Sequence, residues 1–131
     1  MTGAVMTLLG ATVPSGGGGG GGGGGTLGAL NWPNIYSDWS GTTPSLAIAG
    51  ITSFHSLTAT KTGTGALLYV LNGTIKPYTG AINVNAGDTL GWQINNTVIN
   101  TTKSGLVTIN DASNGGALVD TFNYSVSASN F

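Results

Sequence analysis

The sequence has no cysteine, no arginine and no glutamate, and each absence removes a class of function. Without cysteine there is no disulfide, no thiolate metal ligand and no thiol nucleophile, whatever the compartment. Charged residues make up only 5% of the 131 residues: Lys61, Lys76 and Lys103 stand against Asp38, Asp88, Asp111 and Asp120, for a net charge of −1. A nucleic-acid binder needs clustered cations to displace counterions from phosphates, and scattered lysines cannot supply them, so neither DNA nor RNA is expected as a partner. Near-neutrality also leaves little repulsion to keep a free monomer dispersed, which favours a subunit held in a permanent assembly.

Long hydrophobic runs are missing as well. Met1–Val13 begins without Lys or Arg, and Thr2, Gly3, Thr7, Gly10 and Thr12 interrupt its apolar residues. It does not read as a secretion signal, and it is too short to span a bilayer, so no membrane insertion is expected. Asn-x-Ser/Thr sites occur at Asn72, Asn95, Asn100 and Asn123, as chance provides in a chain rich in Asn and Thr.

Catalytic constellations are equally sparse. The lone histidine, His55, has no Asp, Glu or second His at ligand spacing and is expected to be structural or surface-exposed. No Gly-x-Ser-x-Gly turn marks a nucleophile, so no enzyme is expected, and no cofactor. Each aspartate adjoins a turn signal or strand boundary. Asp111 with Asn110 and Asn114 could at most begin a calcium site.

What the sequence has in excess is glycine, concentrated in the unbroken run Gly16–Gly25. Ten residues without side chains bury nothing and lose the maximum backbone entropy on ordering, so the run is expected to be a tether. A glycine coil of that length spans roughly 17 Å on average and roughly 33 Å when extended. A phosphate loop is excluded because Thr26 and Leu27 stand where a Lys-Ser/Thr pair would be required. The run divides the chain into an apolar arm (1–15), a tether (16–25) and a domain (26–131). Val5, Met6, Leu8 and Leu9 are the expected assembly anchor: an extended apolar peptide that fills a groove or adds to a sheet of another subunit.

After the tract, short apolar runs alternate with Gly, Asn and Asp, and no window keeps a helical period. Strands are expected at Leu46–Ile51, Phe54–Thr60, Ala66–Leu71, Thr74–Tyr78, Ala81–Val84, Thr89–Asn95, Leu106–Ile109 and Leu118–Val126, with Asn95–Ser104 as a polar connection. Asn72-Gly73 is the strongest hairpin signal. Ala66–Leu71 is apolar on both faces, with Leu67, Tyr69 and Leu71 opposite Leu68 and Val70, which predicts a central strand or one covered by a partner. In Thr89–Asn95, Leu90, Trp92 and Ile94 point inward, and Trp92 is the expected centre of the core. The fold class is all-β: an antiparallel immunoglobulin-like β-sandwich of about seven or eight strands, preceded by the extended N-terminal arm and polyglycine tract.

Trp32, Tyr36 and Trp39 crowd one short segment, Asn31-Trp32-Pro33-Asn34-Ile35-Tyr36-Ser37-Asp38-Trp39. Large aromatics are mostly buried, so an end plug or an interface is the first expectation for them. Exposed, beside Asn and Asp, they would be ligand aromatics for a sugar.

The stretches Leu30-Asn31-Trp32-Pro33-Asn34-Ile35, Ala49-Gly50-Ile51, Leu68-Tyr69-Val70-Leu71-Asn72-Gly73, Val84-Asn85-Ala86-Gly87-Asp88-Thr89-Leu90-Gly91-Trp92, Leu106-Val107-Thr108-Ile109 and Asp120-Thr121-Phe122 resemble the small β-sandwich modules of tailed-bacteriophage virion proteins. The resemblance covers the chain from Leu27 onward and carries no catalytic signature. It implies a structural protein located in the virion, of tail, fibre, spike or capsid decoration type, with other virion proteins and copies of itself as partners. The alternative it implies is a carbohydrate-binding adhesin at a tail fibre or spike, contacting host surface glycans.

Overall fold

Turn residues and period-two alternation produce ten strands in the computed structural model, which describes residues 24–129. They are β1 (Ile35–Asp38), β2 (Ser40–Thr42), β3 (Leu46–Ala47), β4 (His55–Lys61), β5 (Ala66–Leu71), β6 (Thr74–Pro77), β7 (Ile82–Val84), β8 (Thr89–Asn95), β9 (Thr101–Asp111) and β10 (Ala117–Ala128). A short 3-10 turn at Ala112–Asn114 joins the last two.

The strands form two sheets. The first runs β1-β10-β9-β4-β7; the second runs β2-β8-β5-β6, with β3 also pairing β8. All pairs are antiparallel except one: β1 lies parallel to β10, Ile35 opposite Tyr124 and Asp38 opposite Ser127. The expectation of seven or eight antiparallel strands is thus corrected to ten strands with one parallel pair. The added strands β1 and β2 come from the Trp/Tyr-bearing segment, too short and polar to show a period.

Inward rows of both sheets share one core. Leu90, Trp92 and Ile94 of β8 meet Val107 and Ile109 of β9 and Phe122, Tyr124 and Val126 of β10, all but sealed from solvent. Trp92 is fully buried, as its alternating register requires, and Trp32 meets it edge to face at 5.7 Å and 84°. Burying aromatics of this size contributes more than any other side chains here, and the perpendicular packing adds a quadrupole term.

Local chemistry sets the turns. Asn72 (φ 51°) and Gly73 (φ 83°) both adopt the left-handed conformation of a two-residue hairpin, joining β5 to β6. The Asn72 side chain then ties this hairpin to the next turn, donating to Asp88 Oδ1 at 3.0 Å and accepting from Thr89 N at 3.0 Å.

Two elements differ from the sequence reading. Leu46–Ile51 is extended as a strand only at Leu46–Ala47; Ile51 instead bridges Gly25. The polar connection after Asn95 ends at Asn100, and Thr101–Asp111 is one long strand paired along its length with β10. Thr101–Gly105 escapes the period because its side chains are only half-buried or exposed, so neither row needed to be apolar. Glycine at position 105 has a steric cause: a Cβ there would collide with the backbone of Thr62.

Candidate interaction surfaces

The aromatic trio separates in space. Trp32 is 4% exposed; its backbone N–H donates to Asp120 Oδ2 at 2.7 Å and its indole Nε1–H donates to Leu90 O at 2.9 Å. Trp32 therefore belongs to the core and offers no face to a ligand. Tyr36 lies on β1 and is 70% exposed, with its hydroxyl near Asn34 Nδ2 at 3.4 Å. Trp39 is 40% exposed and sits at φ 62°, a conformation that costs a side-chain-bearing residue on the order of 1 kcal/mol or more.

That strain has a topological origin. Trp39 N donates to Ser127 O of the first sheet at 2.8 Å, while Trp39 O accepts from Asn96 N beside the second at 2.8 Å. The chain crosses from one sheet to the other through this single residue, between β1 and β2. Val98 and Ile99, both about half exposed, follow Asn96 at the same end of the molecule.

At the opposite end the last glycines of the run are built into the domain. Gly24 N donates to Ser53 Oγ at 2.7 Å, Gly24 O accepts from Thr52 N at 3.0 Å, and Thr26 N donates to Gly50 O at 3.2 Å. Glycine is required at Gly25, which at φ 79° would place a Cβ 2.5 Å from Gly50 O, and a Cβ on Gly24 would displace the Thr52 hydroxyl. The anchor residues Val5, Met6, Leu8 and Leu9, and the tract up to Gly23, lie outside the described residues.

His55 closes this clasp. The fully buried ring sits 2.7 Å from Asp111 Oδ2 through Nδ1 and 3.0 Å from Gly24 O through Nε2. Gly24 O can only accept, so Nε2–H donates to it, while Nδ1 pairs with the Asp111 carboxyl. Asp111 Oδ1 accepts from Ser113 N at 3.1 Å, opening the 3-10 turn. Both carboxylate oxygens are thus hydrogen-bonded within the domain, and the side chain is buried. The pairing was invisible to ligand spacing because 56 residues separate the partners. Beside the clasp lies a cavity of ≈ 200 Å³ between Thr26–Leu30 and the Ala117–Val119 segment.

Two more aspartates are structural as well: Asp120 holds Trp32, and Asp88 Oδ2 accepts from Asn85 N at 2.8 Å across its turn. At the Trp39 end of β4, Lys61 Nζ lies 5.8 Å from the centre of the Tyr124 ring, and the Tyr124 hydroxyl donates to Thr62 O at 2.6 Å. Burial raises the pKa of that hydroxyl and lowers that of Lys61 from their ordinary values.

The outer faces of the two sheets carry different chemistry. On the first, register aligns Thr60, Thr108 and Thr121 in one row and Ser104, Ser125 and Tyr36 in another. On the second, Val70 stands opposite Ile75 and Leu68 opposite Pro77.

No known protein family matches this chain, and no curated protein matches it. Among solved structures, the N-terminal domain of PorA is similar at a TM-score of 0.39 and 12% identity, over 76% of this chain and 86% of that one.

Proposed function

We propose that this chain is a non-enzymatic structural subunit of a phage virion, in which an immunoglobulin-like β-sandwich is anchored to neighbouring subunits by its N-terminal arm. Support for the sandwich class comes from the repeated chain crossings between the two sheets, at β1–β2, β3–β4, β4–β5, β6–β7, β7–β8 and β8–β9. The arm contributes Val5, Met6, Leu8 and Leu9 as the docking contact, and the glycines supply reach.

One observation carries the reading: the glycine run ends in a fixed mount. Hydrogen bonds to Ser53, Thr52 and His55 hold Gly24, so a pull on the arm is transmitted to the core strand β4 through His55. The near absence of charge suits a subunit permanently surrounded by other protein. Removing residues 1–23 tests it: the remaining domain is expected to fold with nearly native stability and to be lost from particles. Wild-type occupancy of the truncated chain would overturn the anchoring role.

A second reading, the glycan-binding adhesin, is favoured by the exposure of Tyr36 and Trp39 on the strand pair nearest the Trp39 end. Trp32 takes no part in it, being in the core. Tyr36→Ala, which removes a side chain that is 70% exposed, would abolish adhesion to host surface glycans on this reading and leave it unchanged on the first.

A further inference from the structure

Leu106 and Leu118 are exposed singly on the first sheet, and the other exposed aliphatic side chains fall into two patches. One is the Trp39 end, with Val98 and Ile99; the other is the outer face of the second sheet, where Leu68 and Val70 of β5 meet Pro77 and Ile75 of β6 in direct register. The second is the better-formed surface. Ile75 is 53% exposed, and Leu68 and Val70 are half-buried. Along one side it is walled by the Pro44–Ser45 turn, which rests on Gly91 so closely that a Cβ there would lie 3.0 Å from Ser45 Oγ. On the other side β6 is the sheet edge among the described residues. The result is a shallow apolar strip, open at one edge.

The position of this strip relative to Gly24, where the described chain begins, bears on its occupant. The Val70–Ile75 pair adjoins the Asn72-Gly73 hairpin, whose Asn72 is bonded to Asp88 and Thr89; Gly87 N in turn donates to Ile48 O, and Ala49 and Gly50 hold Gly28 and Thr26. The strip therefore lies at the end of the molecule where Gly24 is clamped. One sheet-to-sheet spacing of about 10 Å and a few strand steps of about 3.3 Å put it roughly 20 Å from Gly24. The stretch from Leu9 to Gly24 is roughly fifteen residues, and a glycine-rich coil of that length spans roughly 20 Å on average. The Trp39 end lies the length of β9 away, roughly 35 Å, well beyond that average.

A leash whose mean length matches the span gives the tethered segment an effective concentration in the millimolar range at its target, falling off steeply beyond it. We propose that, before the subunit joins a neighbour, the segment Val5–Leu9 packs on its own second sheet, over Leu68, Val70, Ile75 and Pro77. This rests on reading the arm as the anchor, and it adds where the anchor waits: an apolar arm and an apolar strip shield each other, and assembly exchanges the contact for an equivalent one between subunits.

The absence of cysteine makes the test clean. In the full-length chain at micromolar concentration, Leu8→Cys with Ile75→Cys should oxidise to an intramolecular disulfide at least ten-fold faster than Leu8→Cys with Ile99→Cys. Adding Val70→Lys to the first pair should abolish that advantage while leaving the far-ultraviolet spectrum unchanged. Equal rates for the two pairs, or disulfide-linked dimers as the main product of the first, would overturn docking on the same chain. The anchor reading is scored separately, by particle occupancy after removal of residues 1–23. Lost occupancy with equal oxidation rates would leave the anchor standing and the resting position refuted.

Discussion

The two outer faces of this molecule obey the same strand geometry and reach opposite chemistry. Both sheets send alternate side chains into one core, where Trp92 and Ile94 from one face Val107 and Phe122 from the other. Outward, the first sheet presents hydroxyls and amides such as Thr108, Thr121, Asn123 and Ser125, whereas the second presents Leu68, Val70, Ile75 and Pro77. An antiparallel sheet with one wet face normally alternates apolar and polar along each strand, and β9 and β10 largely do, with Leu106 and Leu118 as the exposed exceptions. β5 does not. The difference teaches that inner rows report the fold, while outer rows report what each face has for a neighbour.

The comparison is broken most severely from inside. Trp92→Ala removes the central side chain shared by both sheets and is expected to cost about 3–5 kcal/mol in chemical denaturation. The adjacent outward change, Gln93→Ala, should stay within about 0.5 kcal/mol. Next comes the clasp: Asp111→Ala leaves Nδ1 of the buried His55 unpaired and frees the start of the 3-10 turn, with an expected loss of about 3 kcal/mol by the same measurement. Gly25→Ala forces a side chain into a left-handed conformation against Gly50 O and should cost about 1–3 kcal/mol, read as a lowered melting temperature. The smallest effects belong to the outer faces, where they sharpen the contrast. Thr108→Ser on the first sheet and Ile75→Thr on the second should each change stability by no more than about 0.5 kcal/mol in a chain lacking residues 1–23. In the full-length chain, only Ile75→Thr should lower the melting temperature.

Much of the fold was legible because the signals were local. The Asn72-Gly73 hairpin, the inward row of β8 and the two-sided apolarity of β5 follow from residue type and a period of two. The parts that were not legible depend on partners far away in sequence. β1 was hidden because Ile35–Asp38 has almost no period of its own and exists as a strand only through parallel pairing with β10. Glycine signalled flexibility in the tract, yet a Cβ on Gly25 would meet the Gly50–Ile51 backbone and one on Gly24 the Thr52 and Ser53 hydroxyls. His55 offered no chemistry by spacing, because Asp111 approaches it across the β4–β9 pairing and Gly24 arrives from outside both strands. Trp32 and Trp39 carry the same side chain seven positions apart, and only topology sends one into the core and the other to the strained crossing between sheets.

The most direct measurement is amide hydrogen exchange on the full-length chain and on the chain lacking residues 1–23, compared strand by strand. Covering the second sheet by the arm should slow exchange in β5 and β6, so removing the arm should speed exchange there by roughly ten-fold or more and leave β9 and β10 unchanged. Identical protection of β5 and β6 in the two chains would contradict the assignment of that apolar face to the arm.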